Sequence, residues 1–309
     1  MNKRALGEKM FKSFLDGDLK PLLEEVKKDD TLDLEFRGES HAIIYYRGGK
    51  ICDIYEDKVV FDTAYMPEAL KAETFNELQV GNYVNIINEI PTYKRYIDYK
   101  MSEKHAYERE FQQVVVRENN RHHDISHDSD YYITDIEYMD DDGTKTSRFD
   151  MISIKWRSTG IDRREHNASK VPVLSIIEMK YGDNALTGNS GIGDHLRDMR
   201  DFIKSNEMSF FCDDVAEIFK QKCKLGLIPD MKDKPHEVSN LSDRRIEVVF
   251  LIGNHKPAKS KLCEEIAKIK SSEYDFDIKF ARASLMGYCL YDSLMLTPEE
   301  CVEFLQKNK

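Results

Sequence analysis

The chain has 309 residues, 40% hydrophobic and 33% charged, enough for one large domain or two with a substantial core. Its 46 Lys and Arg against 57 Asp and Glu leave a net charge of −11, which excludes a non-specific nucleic-acid coat and confines any such contact to a local patch. Six scattered cysteines form no CxxC pair and read as buried thiols, and the longest apolar runs, such as "VVFLIG" (Val248–Gly253), fall well short of the ~18 residues of a membrane span.

The opening stretch "MNKRALGEKMFKSFLDG" is charged throughout and lacks an apolar h-region, so no secretory signal is expected and the expected location is cytoplasmic. Residues 1–100 read as a small α+β accessory domain. An amphipathic helix is predicted from about Lys3 to Lys27, then strands in "LDLEFRGESHAIIYYRGGKICDIYED", with Gly48 and Gly49 supplying the turn between "HAIIYY" and "KICDIY". "PEALKAETFNEL" and "YVNIINEIPTYKRYIDYK" have helical composition and lead into the second part.

Residues 101–309 change character. "SEKHAYEREFQQVVVREN" places Tyr107, Phe111, Val114 and Val115 on one helical face. "YYITDIEYM" and "SRFDMISIKW" alternate as strands around "DDDGTKT", and "VPVLSIIEMK" follows as a central strand, apolar on both faces. "GDHLRDMRDFIKSN" and "DDVAEIFKQKCKLG" read as helix, "RRIEVVFLIG" as strand, "AKSKLCEEIAKIKSS" as helix and "DFDIKFARASL" as strand. "TPEECVEFLQKN" closes the chain as a helix capped by Thr297 with Pro298 at its first position. The predicted order is αβββαβαβα.

Charges on the strands carry the functional signal. Residues i and i+2 of a strand share a face, so Glu178 and Lys180 point the same way while Met179 points opposite. The same rule groups Asp150 with Ile152, Ile154 and Trp156, at the edge of a buried face. If the two strands are neighbours, Asp150 and Glu178 converge, and close carboxylates are stable mainly when a divalent metal or a shared proton relieves their repulsion. Oxygen ligands favour Mg²⁺ or Mn²⁺ over zinc.

The order αβββαβ, a Glu on the first helix, Asp150, and Glu178-Met179-Lys180 ending the third strand resemble the PD-(D/E)XK nuclease superfamily, over about Glu103 to Leu285. The resemblance implies an α/β, restriction-endonuclease-like core with a mixed sheet beside the small N-terminal α+β unit. It implies Mg²⁺ or Mn²⁺ held by Glu108, Asp150, Glu178 and the Met179 carbonyl, with Lys180 activating the attacking water and stabilising transition-state charge. Glu108 matches the helical Glu of the archaeal resolvases. Position 149 is Phe149, so the proline of the motif's name is missing, although the metal chemistry does not need it. The implied activity is phosphodiester hydrolysis, in DNA rather than RNA, with nucleic acid as partner and a homodimer possible for cutting both strands.

Several features stay open from the residues. Glu108 and Glu110 lie equally far from the centre of the apolar stripe, so periodicity does not choose between them. Asp135 and Glu137 could join the site, but their place toward the hairpin end reads as solvated. "RHHDISHD" reads as a polar loop, although His123 and His127 have a zinc-compatible helical spacing. "GDNALTGNSGIGDHLRDMR" is no P-loop; it is either a flexible connection or a loop whose backbone approaches a phosphate beside Lys180, with His195 within possible reach. Arg197, Arg200, Lys204, Lys256, Lys259 and Lys261 are the candidate phosphate contacts. The rival readings are an inactive nuclease-fold module that binds nucleic acid or protein through a Glu178–Lys180 ion pair, and a nucleotide-dependent transferase, which the missing phosphate fingerprint disfavours.

Overall fold

Two five-stranded sheets organise the chain. The structure is a computed structural model and describes residues 3–71, 76–103, 106–122, 128–141, 146–188, 190–231, 237–253, 261–283, 292 and 295–307. Among these residues the chain is a mixed α/β protein with nine α-helices. No helix among them is long and apolar enough to cross a membrane.

The first sheet runs β1 (Leu32–Gly38), β2 (His41–Tyr46), β3 (Gly49–Tyr55), β4 (Lys58–Phe61) and β5 (Glu77–Gln79), antiparallel throughout and in sequence order. Helices α1 (Glu8–Asp16), α2 (Lys20–Lys28) and α4 (Tyr83–Glu103) pack on it through Phe14, Leu22, Val26, Ile90 and Ile97. The single long helix expected over Lys3–Lys27 is two helices. The Gly17 N–H closes α1 on the Lys12 and Ser13 carbonyls at 3.2 and 3.1 Å, and a Cβ there would sit 2.9 Å from the Ser13 Cα. The hairpin turn also lies one residue earlier than expected. Arg47 and Gly48 take the left-handed conformations (φ 49° and 76°) of a two-residue turn, while Gly49 already pairs with Tyr46. Of the helix expected over "PEALKAETFNEL", the described residues hold α3 (Glu68–Lys71), while the end of the stretch is β5, held as a strand by pairing with β4.

The second sheet has the order β10-β9-β8-β7-β6, made of β6 (Tyr131–Asp141), β7 (Thr146–Lys155), β8 (Val173–Tyr181), β9 (Glu247–Gly253) and β10 (Asp277–Ala283). β6 to β8 are antiparallel, and β8, β9 and β10 are parallel, so the sheet is mixed. α5 (Tyr107–Val116) covers one face with Phe111 and Val115 against Ile177 and Met179. α6 (Ile192–Ile203) and α7 (Met208–Leu225) cover the other with Leu196, Met199 and Phe219 against Ile152 and Ile176. α5 runs on into a π-helical turn, Arg117–Arg121, whose Asn120 side chain satisfies both backbone groups of Ile133 at 2.7 and 2.8 Å. α8 (Leu262–Ile266) is shorter than expected, and α9 (Pro298–Lys307) has the capping box expected of Thr297, reciprocated by Glu300. Five cysteines are buried thiols; Cys289 lies outside the described residues.

The two sheets are fastened to each other. Ile218, Leu225 and Leu227, on or just beyond α7, belong to the apolar core of the first sheet. Asp214 on α7 accepts the Arg4 and Ala5 N–H groups at 2.7 and 3.1 Å. Fully buried Glu35 on β1 pairs with Lys222 on α7 at 2.6 Å. Asp135 on β6 receives Arg4 at 2.8 Å and Arg37 at 2.7 Å. Asp135 is therefore buried rather than solvated. Its charge is matched by two guanidinium groups from a distant part of the chain.

Candidate active site

β7 and β8 pair from Lys155↔Val173 to Met151↔Ile177, and there their ladder ends. The next residues in register are Asp150 and Glu178. On the other side of β7, Glu137 of β6, at φ 50°, stands opposite Asp150 between the Ile136↔Met151 and Tyr138↔Phe149 pairs. The Met179 N–H, left without a backbone partner on that side, donates to Asp150 Oδ2 at 2.7 Å. A residue's N–H and C=O project to the same strand edge, so the Met179 carbonyl also faces the gap.

Glu178 and Lys180 are only 3% exposed and form an ion pair at 2.8 Å. His195 on α6 places Nδ1 3.1 Å from the same Glu178 oxygen, Oε1. The other oxygen, Oε2, is buried without a hydrogen-bond partner. Burial pushes Glu178 up to about 7, against the pull of Lys180. Asp150 is driven well above the carboxylate range by burial and by the charges of Glu178 and Glu108. Glu108 on α5 is raised by burial, partly offset by Lys180 and the Tyr181 backbone. His195 is pushed down to about 4 by burial and Lys180, so at neutral pH the ring beside Glu178 is uncharged. Three carboxylates whose acidity is suppressed beside one lysine form a site short of positive charge.

These residues fit a hard divalent cation. The orphaned Oε2 of Glu178, the Asp150 carboxylate, the inward-facing Met179 carbonyl and Glu108 are all oxygen donors. Among the described residues no group of three or more His, Cys, Asp and Glu side chains is arranged to hold a metal ion. Magnesium is ordinarily held by one or two carboxylates with water and substrate oxygens, not by an all-protein cage.

The site opens into a cleft of about 760 Å³ whose lining includes Glu108, Asp150, Glu178, Lys180 and His195. Glu110 is not among them; it pairs with Arg47 at 2.8 Å, which separates the two helical glutamates that periodicity could not. Half-exposed Glu137 also lines the cleft, 3.7 Å from Arg109. The cationic wall was not read from the sequence: Arg4, Arg37 and His41 come from the N-terminal part, Arg109 from α5 and Arg148 from β7. Arg148 precedes Asp150 by two residues, the one local signal that was present.

Of the expected phosphate contacts, those among the described residues do not line this cleft. Arg197 and Arg200 line a separate cleft of about 430 Å³ with Gly188, Gly191 and Gly193, and Arg197 pairs with Asp194. Lys204 pairs with Asp275 at 3.0 Å, and Lys261 is exposed at the start of α8. Lys256, Lys259, His123 and His127 fall outside the described residues. Scans against family models, curated proteins and solved structures find no match to the chain.

Proposed function

We propose that the chain is a metal-dependent nuclease of the PD-(D/E)XK kind, with a restriction-endonuclease-like core from α5 onward, hydrolysing phosphodiester bonds in DNA. One observation carries the reading. Asp150, Glu178 and Lys180 meet where β7 and β8 part, with Glu108 lining the same cleft. The run α5-β6-β7-β8-α6, with β9 parallel to β8, supports the same likeness.

Asp150, Glu178 and the Met179 carbonyl, with Glu108, would hold Mg²⁺ or Mn²⁺. Such an ion supplies Lewis-acid charge and acidifies water at the scissile phosphate. Neutral His195 sets its Nδ1 edge 3.1 Å from the Glu178 carboxylate and helps confine it. Lys180 carries the buried positive charge that steadies the attacking water and the charge growing on the phosphate oxygens. Arg109 and Arg148 attract the flanking phosphates.

The 2.8 Å Glu178–Lys180 pair favours a second reading, an inactive module in which this pair is structural. Titration calorimetry with Mg²⁺ and Mn²⁺ separates the two. The nuclease reading expects binding that Asp150→Ala removes; an absence of binding by the wild-type protein supports the module. Because Glu178 must lose its proton to bind metal, binding near pH 6.5 is expected to release protons, seen as a heat that depends on the buffer.

A further inference from the structure

The cleft's walls restrict what can reach the carboxylates. The cleft is half open to solvent, with a volume of about 760 Å³, and Glu178 and Lys180 at its floor are only 3% exposed. Such a space has room for roughly one or two nucleotides, and a strand must leave the surface to meet the buried ion pair at its floor. The first sheet supplies part of the wall through Arg37, His41 and Tyr45. That wall cannot swing aside freely. Moving it would separate Arg37 and Arg4 from Asp135, stranding buried charges.

The lining suits an unpaired strand. Arg148 is exposed and lines the cleft. Arg109 is exposed on the α5 side, its nearest carboxylate Glu137 at 3.7 Å. Met139, opposite Arg148 in the β6–β7 ladder, leaves 53% of its surface open in the same cleft. Cationic groups for the backbone are one element of single-strand binding, and Met139 adds apolar contact for an unstacked base.

We infer that the cleft takes an unpaired DNA strand, with its phosphates at Arg109 and Arg148 and a base against Met139. Single-stranded DNA or a single-stranded end is then the substrate class. This rests on the nuclease reading for the chemistry but not for the binding. The test is fluorescence anisotropy of the full chain in EDTA over a series of salt concentrations, with a short labelled single strand and the blunt duplex of the same sequence compared at each. The single strand is expected to bind roughly tenfold tighter or more. Arg109→Glu and Arg148→Glu, both at exposed positions, each weaken it and flatten the salt dependence by ~0.7 per lost phosphate contact.

Equal or tighter duplex binding by the wild-type protein, or unchanged affinity in both variants, overturns the inference. Strand preference without cleavage in Mg²⁺ supports it while overturning the nuclease reading. Cleavage inside duplex with no strand preference does the reverse.

Discussion

At the residue scale, Asp150 and Lys180 make opposite contributions to stability and so can be told apart from ordinary structural residues. Asp150 is pressed by burial and by two other carboxylates, yet it holds the Met179 N–H. Asp150→Asn keeps an acceptor for that N–H and removes the repulsion. Urea unfolding of the metal-free variant should show stability equal to or above wild type, with Mg²⁺ binding lost; a large destabilisation would make Asp150 a structural residue. Lys180 is the buried counter-charge of Glu178, so Lys180→Met should cost ~3–5 kcal/mol without metal, as breaking a buried pair does. Mg²⁺ should restore part of that loss, and a variant insensitive to Mg²⁺ would count against the site. The period-2 pattern made Asp150, Glu178 and Lys180 legible because strand alternation is local. The orphaned Oε2 and the His195 contact were not legible, since both depend on where α6 docks.

At the element scale, the β2–β3 turn positions α5. Gly48 has φ 76°, and a Cβ there would come within 2.4 Å of the Arg109 Cβ, one residue from Glu108. Gly48→Ala should therefore destabilise by more than ~1 kcal/mol and weaken metal binding through the displaced helix, measured by unfolding and calorimetry together. Wild-type stability in that variant would show the turn to be slack. Sequence placed this turn one residue late, because a Gly-Gly pair satisfies either register and the choice of Arg47 is made by its pairs with Asp98 and Glu110, both at 2.7 to 2.8 Å. The buried Asp135 shows the same limit. Its two arginines lie some hundred residues away in the chain, and no local pattern announces them.

At the scale of the whole molecule, buried charges join the two sheets and make stability depend on pH. Burial raises Glu35 from 4.5 to about 8 despite Lys222. Between those values the native protein keeps a proton that the unfolded chain has released, so this contribution to stability is complete below 4.5 and lost as pH rises through about 8. Denaturation midpoints of wild type should fall across that window relative to Glu35→Gln; parallel profiles would mean the pair stays ionised throughout. The joint also fixes the arginine wall over the carboxylates, which ties the N-terminal part to the chemistry. Cleavage tests that chemistry most directly. Supercoiled, linear and single-stranded DNA are incubated with wild type or Asp150→Ala in Mg²⁺ or Mn²⁺ at one salt concentration. The account predicts metal-dependent cutting by wild type and none by the variant; an inert wild type, or a variant that cuts at the wild-type rate, would contradict it.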